Sequence, residues 1–234
     1  GVFLREAQKH GFEVWGIDFD SKSIETAKKS LGVETLFAMS LEEFYEYAKK
    51  NNLTFDVITF FEVLEHQDNP KRFLEIVKEL LKPGGYIAGS VPNRDRLFAE
   101  IDWKYFHGDY PPHHFLRFSA KALENTLKLC GFSDVEVYKT DFPKEELPAY
   151  LEKKFFGSLD KVKLWLKGKA LGNQRLAGAI AVEDLEEIKP SFQAKILKGL
   201  KKIRNFMFLP LVAVYSGKLK GNGVNLYFQG RKNG

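Results

Sequence analysis

The sequence predicts an α/β fold built on a parallel or mostly parallel sheet with helices on both faces. Three observations carry that expectation. Apolar runs of strand length alternate with amphipathic helical segments from the first residue to about residue 138. Those runs, such as FEVWGIDF at 12–19 and DVITFF at 56–61, are apolar nearly throughout, as strands buried on both faces are. The chain, 234 residues at 44% hydrophobic and 14% aromatic, can also bury a sizeable core.

Each element has its own signal. A helical pattern runs to His10 and stops at Gly11. The strand run 12–19 follows and ends in acids. A second helix spans about Ser23 to Leu31, with Ile24, Ala27 and Leu31 on one face and Gly32 as its stop. Thr35 to Ala38 is a short strand, after which Ser40-Leu41-Glu42-Glu43 forms a capping box for a helix whose Phe44, Tyr47 and Ala48 share a face. Asp56 to Phe61 is the next buried strand. Asn69-Pro70 opens a helix through Leu81, which Lys82-Pro83-Gly84-Gly85 stops. Tyr86 to Val91, Ser119 to Cys130 and Val135 to Tyr138 read as strand, helix and strand. Residues 143 to about 215 are helical and Lys-rich, and Val224 to Phe228 is a last strand. Asn225 to Gly230 spells most of an engineered protease-cleavage site, with Val224 where Glu is usual. The segment is either tag residue or a native strand; the strand is the reading adopted.

Composition excludes several classes. One cysteine, Cys130, rules out an internal disulfide framework or a multi-cysteine metal site and suits a reducing, cytoplasmic setting. No apolar run reaches the ~18 residues of a membrane span; the longest, Phe206 to Tyr215, is interrupted by Pro210. The net charge of +5 is uneven, because all ten charged residues from Lys189 onward are basic and the first 188 residues carry a net −5. Ile196, Leu197, Leu200 and Ile203 recur at helical spacing, with Lys195, Lys198, Lys201, Lys202 and Arg204 on the other face. Such a basic amphipathic tail can lie on an anionic membrane, or it can pack on its own core with a solvated basic face.

Candidate chemistry gathers where the strands end, since ligands of such sheets bind beyond the carboxyl ends. Asp18 at a strand tip can accept hydrogen bonds from both hydroxyls of a ribose, or it can cap the next helix, a role for which Asp20 competes. Glu62, Glu65 and His66 stand at i, i+3 and i+4, a spacing that on a helical turn shares one face. They could bind a divalent metal that polarises a hydroxyl, His66 alone could be a general base, or the set could simply hold the loop. In Pro111-Pro112-His113-His114, two prolines stiffen a loop that offers His113 or His114 as a base or substrate contact.

The run FDVITFFEVLEHQDNPKRFLEIVKELLKPGGYIAGSVPN, from Phe55 to Asn93, resembles the second half of a class I S-adenosylmethionine-dependent methyltransferase. Within that superfamily it is most similar to the branch of quinone-precursor O-methyltransferases and sugar or polysaccharide methyltransferases. GFEVWGIDFD before it and PPHHFLRFSAKALENTLKLCGFSDVEV after it extend the resemblance over about residues 1–140 and the last strand. The resemblance implies a Rossmann-like sheet, mostly parallel with an antiparallel last strand. It divides the chain into a core at 1–142, a helical lid or acceptor-binding insertion at 143–215, and a last strand and tail at 216–234. It implies S-adenosylmethionine as cofactor, with Asp18 on the ribose, Met39 and Ser40 beside the adenine, and Phe60 and Phe61 along the methionine part. The family's glycine-rich turn reads GxGxG, of which Gly1 matches the last glycine. The chain is therefore expected to be N-terminally truncated and, by itself, a poor cofactor binder. The expected reaction is O-methylation of a small-molecule, quinone-precursor, sugar or lipid-linked acceptor, with no role for DNA. An RNA methyltransferase, or a non-catalytic module binding a membrane surface or a protein, are the alternatives.

Overall fold

Residues 1–105, 110–111, 113–156, 199 and 202–234 are described in the computed structural model. The elements in chain order are α1 (Val2–Lys9), β1 (Gly16–Asp18), α2 (Ser21–Leu31), β2 (Leu36–Ala38), α3 (Leu41–Lys50), β3 (Phe55–Phe61), α4 (Pro70–Leu80), β4 (Leu81–Pro92), α5 (Ala99–Tyr105), α6 (Ala120–Leu129), β5 (Phe132–Lys139), α7 (Leu147–Phe156), α8 (Leu209–Tyr215) and β6 (Asn225–Lys232). A 3-10 turn covers Leu64–His66 and another Ser216–Lys218. Most of the amphipathic tail helix expected from Phe192 lies outside the described residues, as does most of the 143–215 insertion.

Local chemistry sets the helix ends. Asp20 caps α2 through the N–H groups of Lys22 and Ser23, and Gly32, at φ 67°, closes it in the left-handed conformation. Ser40 and Glu43 form the expected reciprocal capping box at α3. Asn69 caps α4, with Pro70 in its first turn. The α5 helix was not anticipated; no capping signal announces it in the sequence.

The strands form two ladders. β1 pairs with β2 in parallel, and a separate sheet has the order β3-β4-β6-β5. β3 and β4 are parallel, from Phe55 opposite Leu81 to Phe61 opposite Ser90, with a bulge in register between Phe55 and Val57 that takes up Lys82–Gly85 of β4. The expected strand at 12–19 shortens to three residues, since its ladder to β2 spans only Gly16–Asp18. Contacts of β6 run in reverse order along both neighbours. Gly230 faces Ile87 while Phe228 faces Gly89, and Arg231 meets Ser133 while Gln229 meets Glu136. β6 is therefore antiparallel to β4 and β5, and Asn225–Gly230 is part of a sheet-interior strand.

Two compact units result. The first comprises Gly1–Ser90, Lys121–Val137 and Phe228–Gly234; the second comprises Val91–Ala120 and Tyr138–Tyr227. Residues 91–120 group with residues 138–227 and not with the sheet residues of the first unit.

In the first unit, Phe44, Tyr45, Ala48, Ile76 and Leu80 of α3 and α4 form a buried cluster. Trp15 and Phe37 stack at 6.1 Å, and both Trp15 and Phe44 approach Phe55 within about 6 Å. Aromatic contacts worth ~0.5–1.5 kcal/mol each thus connect the β1–β2 pair to β3, where no backbone ladder does so among the described residues. Gly89 on β4 permits the closest packing: a Cβ there would overlap the Phe60 carbonyl oxygen and come within 2.8 Å of the Phe228 ring. In the second unit, Phe98, Ile101, Phe142, Leu147, Leu151, Phe208 and Leu219 form a separate core, with Tyr150 and Tyr215 packed against it. Arg96 and Asp102 form a buried ion pair there at 2.8 Å.

Candidate functional site

In the first unit, the sequence-predicted residues fall at the carboxyl ends of β1, β2 and β3. Asp18 ends β1 and is exposed; its Oδ1 accepts the Asp20 N–H at 2.9 Å. Asp20 takes the capping role, and its hydrogen bonds from Ser23 and Lys22 hold its carboxyl below the usual range. The competition between the two acids is thereby resolved: Asp20 serves the helix, and Asp18 is an oriented carboxylate at the strand tip. Gly1 stands at the N-terminus of α1, against Ala27 and Leu31 of α2.

Met39 and Ser40 follow β2. Met39 packs against the α3–α4 cluster, while the Ser40 hydroxyl accepts the Glu43 N–H at 3.1 Å. At the end of β3, strand alternation separates the two phenylalanines. Phe60 is buried between Phe73 at 5.1 Å and Phe228 at 5.3 Å. Phe61 is 39% exposed, with the Phe3 ring of α1 at 5.0 Å.

Glu62, Glu65 and His66 do not share the helical face that their spacing suggested. Glu62 adopts φ 54°, a left-handed conformation that costs a non-glycine residue ~1–2 kcal/mol. Two bonds to Ser90 hold it there: the Glu62 N–H donates to the Ser90 carbonyl at 2.9 Å, and Ser90 Oγ donates to Glu62 Oε1 at 2.6 Å. This strained residue turns the chain out of β3, and the 3-10 turn begins only at Leu64. Ser90 is a residue that the sequence reading missed; only the parallel register of β3 and β4 brings it opposite the strand end.

Glu65 is 1% exposed, and among the described residues neither of its carboxylate oxygens has a hydrogen-bond partner. Burial pushes this carboxyl up to about 7, and the charge of Glu62 adds to the effect. His66 Nε2 lies 3.9 Å from Glu65 Oε1, with the imidazole partly exposed. For a divalent ion, Glu65 and His66 offer a carboxylate without a donor and an imidazole. Glu62 Oε1 accepts the Ser90 hydroxyl. The pair suits proton transfer near neutrality, where a group titrating about 7 exchanges readily.

His113 and His114 belong to the second unit. Their backbone N–H groups donate to the Tyr110 carbonyl at 3.0 and 3.3 Å, forming a turn; His113 is exposed and His114 half-buried.

Residues 1–137 match the family model of a methyltransferase domain. The ubiquinone biosynthesis O-methyltransferase of Vibrio cholerae serotype O1 is 30% identical over 107 residues, which is 43% of this chain and 43% of that protein. The protein of the same name from Paraburkholderia phymatum is 33% identical over 127 residues, 49% of this chain and 53% of its own length. The chain thus spans about half the length, or less, of these curated relatives. A SAM-dependent methyltransferase from Archaeoglobus fulgidus superposes with a TM-score of 0.54 at 14% identity, covering 98% of this chain and 80% of that one. At that identity the likeness speaks to the fold, which is the α/β, Rossmann-like fold of class I methyltransferases.

Proposed function

The chain belongs to the methyltransferase-domain family, and from that premise we propose that it works with S-adenosylmethionine to methylate an oxygen of a small-molecule, quinone-precursor, sugar or lipid-linked acceptor. The observation that carries the donor half is Asp18, an exposed carboxylate at a strand tip, relieved of helix capping by Asp20 and oriented by its N–H. Such a group suits two ribose hydroxyls. The exposed Phe61 ring at the end of β3 suits the apolar and sulfonium parts of the donor. Methyl transfer asks the protein mainly to align donor and acceptor and to remove the acceptor proton. His66, partly exposed beside the Glu65 carboxyl, is the base that the first unit's geometry supports best.

The test of the donor half is calorimetric titration with S-adenosylmethionine. In a longer parent that carries the family's full glycine-rich turn, Asp18→Ala should weaken binding by ~1–3 kcal/mol, the scale of hydrogen bonds to a charged acceptor; unchanged affinity removes Asp18 from the ribose site. Transfer of labelled methyl to quinols and nucleotide sugars, set against short RNAs, tests the acceptor class, and transfer to RNA alone would favour the alternative enzyme.

A second observation favours contact with an anionic membrane surface. Ile203, Phe206, Met207, Leu209 and Val214 are each more than half exposed, along helical residues 202–207 and α8. Among the described residues no helix is long and apolar enough to cross a membrane. Exposed apolar side chains with Lys202 beside them, Arg204 being paired with Glu152 at 3.4 Å, suit a helix lying in the lipid interface. Co-sedimentation with anionic vesicles at low salt, lost at high salt, is the expected result; no pelleting at low salt refutes it.

A further inference from the structure

An arginine-lined hollow lies wholly within the second unit, at the end of β4, and the proposed donor site does not use it. Its walls are Pro92, Arg94, Arg96, His114, Leu116 and Arg117, around a shallow depression that opens to solvent. Two stretches of chain build it. Asn93 and Phe118 form a parallel bridge, reinforced by the Arg94 N–H donating to the Phe118 carbonyl at 2.9 Å. The bridge brings Asn93 and Phe118 together, and basic side chains from residues 92–96 and 114–117 line one hollow.

The stretches are held rigidly. Asn93 is 1% exposed; its Nδ2 donates to the Gly223 carbonyl at 3.0 Å, and its Oδ1 accepts the Asp95 N–H at 3.0 Å. Arg96 is fixed by Nε donating to Asp102 and Nη1 donating to the Asn93 carbonyl. The Arg117 guanidinium lies 4.4 Å from the Tyr110 ring centre and 5.1 Å from that of Trp103. Asp102 balances Arg96, whereas the Arg94 side chain makes no hydrogen bond or ion pair among the described residues. Among the described residues no carboxylate lines the hollow. Guanidinium groups fixed by stacking and buried pairing lose little freedom on binding, and their planar donors match oxyanions.

We propose that this hollow is an oxyanion subsite, which takes a single phosphate or carboxylate group of a small-molecule ligand. Arg94 and Arg117 hold the anion, and Arg96 serves as a fixed positive wall.

The test uses no methyl donor, so its outcome is independent of the proposed activity. Trp103 reports on Arg117, in a chain where Trp15→Phe and Trp165→Phe remove the other indoles. Inorganic phosphate and, separately, acetate are titrated at constant ionic strength against chloride. A saturable change in emission with either anion, weakened about tenfold by Arg94→Gln and by Arg117→Gln and unchanged by Lys220→Gln, is expected for charge-assisted bonds. Arg94→Lys, which keeps the charge, should retain part of the binding. The anion that saturates at lower concentration identifies the ligand's group. A change that does not saturate, that chloride reproduces, or that survives the Arg94→Gln/Arg117→Gln double variant overturns the proposal.

Discussion

Replacing Glu65 by Gln should flatten the protein's loss of stability between acid and neutral pH. The Glu65 carboxyl sits near 4.5 when solvated and about 7 in the folded chain. Below 4.5 it is neutral in both states, and the native structure bears no penalty. Between these values the unfolded chain releases its proton and the folded chain retains it, so stability falls as pH rises. Above about 7 both states are ionised and the difference levels off. The span corresponds to about 3 kcal/mol at 1.36 kcal/mol per unit, reduced by whatever water reaches the carboxylate. Gln keeps the shape but leaves a buried amide short of partners, a cost of ~1–3 kcal/mol at every pH. The diagnostic quantity is therefore the pH slope and not the absolute stability. Urea denaturation of parent and Glu65→Gln, with a chelator present, at several pH values from 4 to 8 should show a drop in the parent that the variant lacks. Equal drops in both would mean that Glu65 is ionised in the folded state, and the account of an unpartnered carboxyl would fail.

Three further outcomes follow from packing and pairing. Gly89→Ala should destabilise by at least the ~1–3 kcal/mol typical of overpacking, because the new methyl meets the backbone oxygen of the adjacent strand; a melting temperature unchanged by calorimetry would refute that closeness. Asp102→Ala leaves the Arg96 charge buried and should cost ~3–5 kcal/mol, read as earlier urea unfolding, with Asp102→Ala/Arg96→Met recovering much of the loss. Asp20→Ala should cost about 1 kcal/mol as a lost cap, without the effect on donor affinity expected of Asp18→Ala; loss of affinity equal to that variant would reassign the strand-tip role.

Most of the alternation of elements was legible because each helix carries a local signal: the Ser40–Glu43 box, Asn69-Pro70 and Gly32 all act within a few residues. What depended on partners distant in sequence was less legible. The length of β1 is set by its ladder to β2, and the fate of Phe60 by Phe228, a residue 168 positions later. The acid–acid–His spacing pointed to a helical turn. It could not show that Glu62 leaves the strand in a left-handed conformation, which the Ser90 bonds make tolerable. The Arg94-Asp95-Arg96 run after a strand end was a visible signal for the basic hollow, but Arg117 and His114 join it only through the bridge between Asn93 and Phe118.

The placement of β6 between β4 and β5 has a consequence for synthesis. The strand that occupies the interior of the larger sheet is made after both of its neighbours. Until Asn225–Lys232 emerges, β4 and β5 have nothing between them and present unpaired backbone edges. The first unit thus cannot close while its own residues are being translated; it must wait for some ninety intervening residues, 138–227, that belong to the second. A nascent chain in this condition invites chaperone binding or mispairing with a neighbour. Loss of the final ten residues would not fray an end but would empty a position at the middle of the sheet.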